Sequence, residues 1–137
     1  MKLLVEVSRD SKAKAPLAMA IFFRHSLQGM VLLNRVQLKT GEVPPLYKSG
    51  VRYKAEPLGV ETLRDALTTY RLRFGDCAHL AAWRVAELQE AGEKASIRIE
   101  TKPSKRKAGL RLYHVVVRRG NGSIEDPSKI LGMGRWL

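Results

Sequence analysis

The sequence predicts an α+β fold: helices, one of them opening on a cysteine, packed on a small antiparallel sheet. Three observations carry this expectation. Gly75-Asp76 precedes an alanine-rich amphipathic run that ends at Gly92, which marks one helix with a capped start and a glycine stop. Two apolar-alternating stretches, 95–101 and 110–119, read as neighbouring strands. Asn121-Gly122 then supplies a tight turn into a short returning strand. With 137 residues and 15.4 kDa the chain suits one domain over 1–137, with an N-terminal strand and helix over 1–44 and a core over 45–137.

The elements follow in order. Residues 2–7 alternate like a strand, and 8–14 are a polar connection. Pro16 suits a first helical turn, and Leu17, Ile21, Phe22, Leu27, Val31 and Leu32 predict a helix over 17–36. This most apolar part of the chain is interrupted by Arg24, His25, Gln28, Asn34 and Arg35, so it does not read as a membrane span. Gly41, Pro44, Pro45 and Gly50 punctuate a loop, and residues 47–57 read as irregular and extended. Leu63, Leu67 and Tyr70 suggest a short helix over 61–71. In the run after Asp76, Cys77, Ala81, Val85 and Leu88 share one face, which places the cysteine in the first turn on the inward side. Residues 102–109 read as a basic hairpin loop, and 123–126 as the returning strand closed by Pro127.

Composition narrows the function. Lys and Arg number 25 against 13 Asp and Glu, a net charge of +12, which favours polyanionic or acidic partner surfaces. A single cysteine excludes an intramolecular disulfide and any paired-cysteine zinc site. With histidines only at 25, 79 and 114 and no cofactor motif, neither metal nor cofactor is expected. No targeting or anchoring segment stands out, so the expected compartment is the cytoplasm of the producing cell.

Three residue types in one order suggest nucleophilic chemistry: Cys77 at a helix start, His114 within a strand, Asp126 at the end of the next. A thiol at a helix N-terminus meets free N–H groups and the dipole, both of which favour thiolate. A neighbouring imidazole can take the proton, and a carboxylate can fix the imidazole tautomer. A turn centred on Asn121-Gly122 brings Asp126 back near residues 116–118, a slight stagger from His114. Each residue also has a plain structural reading: Cys77 as a small buried apolar group, His114 as a core histidine, Asp126 as a turn cap. His79, about 200° around the helix from Cys77, is expected to point away, as a surface residue or as a contact to a partner. Trp83 reads as packing; Arg52, Tyr53 and Glu56 read either as groove-lining residues or as residues that pin the irregular segment, with pinning preferred.

Gly75-Asp76-Cys77 with Leu80-Ala81, then Tyr113-His114-Val115-Val116-Val117, then Glu125-Asp126-Pro127, resembles the transglutaminase-like branch of the papain-like cysteine enzymes. The likeness is closer to small proteins of tailed bacteriophages and runs over about 45–133. The resemblance implies a papain-like core with Cys77, His114 and Asp126 as a catalytic triad. It further implies thiol-dependent acyl transfer, as a peptidase, amidase or transglutaminase, on a protein substrate. Relatives often carry acidic residues just after the cysteine, where this chain has Ala78 and His79.

Lys102, Lys105, Arg106, Lys107, Arg111, Arg118 and Arg119 crowd one hairpin and predict a single positive face for an acidic partner. Two rivals to an enzyme follow. One is a catalytically silent phage structural or assembly protein that docks on an acidic virion surface, which would place it with the virion as well as in the host cytoplasm. The other is a nonspecific nucleic-acid binder with steeply salt-dependent affinity.

Overall fold

A computed structural model describes residues 16–57, 60–106 and 111–134. The fold is mixed helix and sheet, as expected. Helix α1 spans Pro16–Lys39, α2 Ala66–Leu72, α3 Cys77–Glu90 and α4 Pro127–Ile130, with a 3-10 turn at Leu46–Lys48. Strands β3 (Ser96–Pro103), β4 (Arg111–Arg118) and β5 (Ile124–Glu125) form an antiparallel sheet in that order, while β1 (Arg52–Tyr53) and β2 (Phe74–Gly75) pair in parallel. The strand expected over 2–7 lies outside the described residues.

Helix α3 is the centre of the molecule because its alanines are small enough to let neighbours approach from two sides. Ala78, Ala81, Ala82, Val85 and Ala86 pack with Leu27 and Val31 of α1 and with Val115 and Val117 of β4. On its other side Leu80 and Trp83 pack with Val43, Leu46, Val51, Ala66 and Leu131. Trp83 is fully buried, and its Nε1–H donates to the Pro44 carbonyl at 3.2 Å, so it is the packing residue its position suggested. Helix α1 thus shares its core with the segment after residue 45.

The second helix starts later than its periodicity suggests, at Ala66 rather than 61. Its first N–H groups are taken from outside: Asp65 Oδ1 accepts from Thr68, Asn34 Oδ1 from Ala66, and Gln37 Oε1 from Leu67. The Asp65 cap and the acceptors Asn34 and Gln37 on α1 set where α2 begins, and the Thr62 N–H is committed to Glu56. Leu63 packs against the core from a non-helical segment.

The hairpin turn falls where Asn121-Gly122 places it. The Gly122 N–H donates to the Arg119 carbonyl at 2.9 Å, and Gly122 has φ +87°, a conformation glycine adopts without steric cost. Val117 pairs with Glu125, so Asp126 follows directly, where it caps the short helix α4 ahead of Pro127. Strand β3 continues through Pro103, so Lys102 lies on a strand rather than in the loop.

Gly75 occupies a closed site. A Cβ there would stand 2.8 Å from Thr69 Cγ2 and 3.1 Å from His79 Cβ, and both neighbours are buried. Gly75→Ala is therefore expected to cost about 1–3 kcal/mol through overpacking. Urea unfolding checks this, and Gly134→Ala, with open space around the added methyl, serves as the control.

Candidate functional site

The site assembles at the N-terminal end of α3. Asp76 caps that helix: its Oδ1 accepts the N–H groups of Ala78 at 3.0 Å and His79 at 3.2 Å, and not that of Cys77. Cys77 is the first helical residue and is partly buried against the main core. The first-turn, inward-facing position expected of it is the one observed.

His114 and Asp126 meet. His114, 4% exposed, places Nε2 at 2.7 Å from Asp126 Oδ2. Asp126 Oδ1 meanwhile accepts the Lys129 N–H at 3.3 Å, so the carboxylate serves as cap and histidine partner together. Burial pushes the Asp126 carboxyl up, but the His114 hydrogen bond and charge outweigh it and hold the pKa below its ordinary value. Cys77 packs against the core that contains Val115 and Val117 of β4, the strand that carries His114, so β4 adjoins the thiol.

The thiol's electrostatics differ from the expectation at a helix start. Burial pushes the Cys77 pKa up to about 12, and the charges of Asp76 and Glu61 push the same way. The N–H groups of Val115 and Ala78 act in the opposite sense and do not prevail. Cys77 is thus a protonated thiol at neutral pH rather than a resting thiolate. Besides burial, the cause is that the capping carboxylate is itself an anion at the helix end. Tyr53, which the β1–β2 pairing and the Leu131 carbonyl hold in place, belongs to the same neighbourhood. Its phenol is raised by burial and then by Cys77, Asp76 and Asp126. The sequence favoured a pinning role for Tyr53 over a groove-lining one, because its nearness to the thiol depends on a parallel bridge between distant segments.

His79 is buried rather than turned to the surface. Its Nδ1 accepts the Asp76 N–H at 3.1 Å and its Nε2 faces the Thr62 carbonyl at 2.5 Å, completing a reciprocal cap. A histidine three positions after the capping residue reaches back as a glutamine would, and the spacing Asp76-x-x-His79 is the signal that could have shown it. Glu56, Asp76 and His79 bring ligand-type atoms within 4.8 Å of one another. Both His79 ring nitrogens are engaged with the backbone, which makes this group a structural cap.

A clamp positions Asp126. Neighbouring Glu125 accepts from Arg84 Nε at 2.7 Å, from Arg119 Nη1 at 2.8 Å and from the Tyr47 hydroxyl at 2.5 Å. The clamp ties β5 to α3 and to the end of β4. Arg119 also pairs with Glu93 at 2.6 Å, and together with the Gly120 N–H it draws the Glu93 carboxyl down to about 2. Arg119, expected on a partner-binding face, is therefore spent within its own chain.

The expected single positive face divides. Pro103 pairs with Arg111 and Ser96 with Arg118, seven residues further along the hairpin. At about 3.3 Å per residue, that separates the two ends by roughly 23 Å. Lys105 and Arg106 are exposed at one end and Arg118 at the other. Lys102 is half-buried on β3, and Lys107 lies outside the described residues. Arg118 lines an open cavity of about 590 Å³ together with Arg24, Gln28, Leu32, Arg98 and Ile99. That cavity touches none of Cys77, His114 and Asp126.

Among the described residues, no helix is long and apolar enough to cross a membrane. No family model, curated protein or solved structure matches this chain.

Proposed function

We propose that the protein is a thiol-dependent acyl-transfer enzyme with a papain-like arrangement of Cys77, His114 and Asp126. The observation that carries this reading is the 2.7 Å pair that Asp126 makes with His114 on β4, the strand whose Val115 and Val117 belong to the core that Cys77 packs against. Asp126 orients the imidazole through Nε2, which assigns proton transfer to Nδ1. Because the resting thiol is protonated, His114 acts as general base during attack rather than as half of a standing ion pair. The Cys77 sulfur bonds to an amide or ester carbonyl carbon while its proton passes to His114. The Cys77 N–H, which Asp76 does not use, donates to the oxyanion. Collapse breaks the bond to the leaving group, which takes the proton from His114, and leaves a thioester. Water or an amine then attacks the thioester while His114 takes its proton; the carbon–sulfur bond breaks, and His114 returns the proton to the Cys77 sulfur, which restores the thiol. The proposed substrate is a protein, and the sequence resemblance suggests a phage origin for the enzyme itself.

The pH dependence of iodoacetamide labelling tests this. Labelling of Cys77 is expected to be faster in the wild type than in His114→Ala near neutral pH, the two rates converging in strong alkali. Equal rates in both proteins, rising only toward pH 12, overturn the catalytic reading.

The raised thiol pKa favours a second reading, a silent phage structural or assembly protein that keeps the geometry for its stability. Equal labelling rates would support it. Its acidic partner would meet the exposed Lys105–Arg106 end rather than a continuous basic face.

A further inference from the structure

We infer that α1 forms an antiparallel two-helix interface with a second copy of this chain. Its inward side is occupied: Leu27, Val31 and Asn34 are buried in the protein's own core. Its outward side carries Ala18, Phe22, His25, Gly29, Leu32 and Val36, all exposed. Their spacing is four, three, four, three, four, the repeat of a coiled-coil seam. Leu17, Ile21 and Leu33 widen the stripe, and Leu17 is 74% and Leu32 63% exposed. Apolar surface of this extent, on the order of 500 Å², lies at the upper end of what a monomer shows. Doubled by a second copy, and with the flanking polar atoms added, it approaches the roughly 1,200 Å² of the smaller stable interfaces.

The stripe is complementary to itself when reversed. About a two-fold axis at the level of residue 27, Phe22 of one copy meets Leu32 of the other, and His25 meets Gly29. At the ends, small Ala18 meets Val36, so the helices can approach closely there. The bulky imidazole enters the gap that glycine leaves, where a Cβ would meet nothing of its own chain within 4 Å. A parallel pair would instead stack His25 on His25 and oppose two glycines across a void. Charge points to the same occupant. Helix α1 contains no Asp or Glu, and none of its Arg or Lys residues lies in the stripe. Arg35 is already paired with Glu90 at 2.6 Å. The seam positions themselves carry no Arg or Lys, and the cations Arg24, Arg98 and Arg118 gather round the cavity at the Leu32 edge. Two chains of charge +12 can join along the neutral seam once salt screens that edge.

Sedimentation and light scattering on the full chain, at protein concentrations on the order of 100 µM, test this at salt high enough to screen the mutual repulsion. The expected mass is twice 15.4 kDa, with association strengthening as salt rises. Leu32→Glu and, independently, Val36→Glu are expected to give the single-chain mass with an unchanged far-UV spectrum, since both side chains are exposed in one copy. Gly29→Ala is expected to raise the helix content of the single chain yet weaken association at least tenfold, because the methyl fills the His25 gap. A wild type at 15.4 kDa under these conditions overturns the proposal and leaves the stripe to another segment of the same chain or to a different protein. A dimer that survives both glutamate substitutions overturns it as well. Unweakened association of Gly29→Ala overturns the antiparallel register.

Discussion

Asp126→Ala is expected to lower stability by about 2–4 kcal/mol. One part, about 1 kcal/mol, is loss of the α4 cap, and about 1–3 kcal/mol more comes from leaving the buried His114 Nε2 without its carboxylate. Asp126→Asn keeps a capping oxygen and removes only the charge, so it should fall between the two. The pH dependence separates them further. The folded carboxyl pKa lies below its unfolded value, so its contribution is complete above the unfolded pKa, about 3.9, and is lost as pH falls through the folded one. Urea unfolding of wild type and Asp126→Asn should differ at neutral pH and converge in strong acid. On the catalytic reading, Asp126→Asn also slows acyl transfer by about 10⁴, the loss seen in a serine-enzyme triad whose carboxylate no longer sets the imidazole tautomer. A stability difference that persists unchanged below the folded pKa would show that the His114 pairing is not the source.

At the other end of the pH scale, Cys77 makes the wild type alkali-sensitive in a way that Cys77→Ser is not. The thiol holds its proton more tightly folded than unfolded, so the stability this contributes is complete below the unfolded pKa of 9.0. It is lost as pH rises toward about 12. At about 1.4 kcal/mol for each tenfold change in proton affinity, the loss is on the order of 4 kcal/mol. The serine hydroxyl does not titrate in this range, so its variant should lose that much less stability between pH 9.0 and about 12. Denaturant midpoints measured across the interval check this. Parallel curves for the two proteins would mean that solvent reaches the sulfur and that burial does not control its proton.

The raised thiol also shows how far local sequence rules carry. A helix start next to a cysteine argues for a lowered pKa, and α3 does begin at Cys77 under an Asp76 cap. The carboxylate that makes the cap lies beside the sulfur, however, and the core that buries it comes from α1 and β4. Neither the depth of burial nor the sum of charges belongs to the α3 segment alone.

Local chemistry determined the start and stop of α3, the turn at Asn121-Gly122, and therefore the return of Asp126 toward His114. Each depends on backbone preferences and hydrogen bonds within a few residues, which single-residue chemistry encodes directly. Tertiary structure decided the rest. Helix α2 begins at Ala66 because Asn34 and Gln37 on α1 accept its first N–H groups. Tyr53 joins the site through a bridge to Phe74-Gly75. Arg119 is neutralised by Glu93, twenty-six positions away. The basic residues separate because strand register places them at opposite ends of a hairpin about 23 Å long. Acceptors, bridges and counter-charges remote along the chain meet only when it folds, so residue types and spacing name the candidates, while packing assigns their partners and protons.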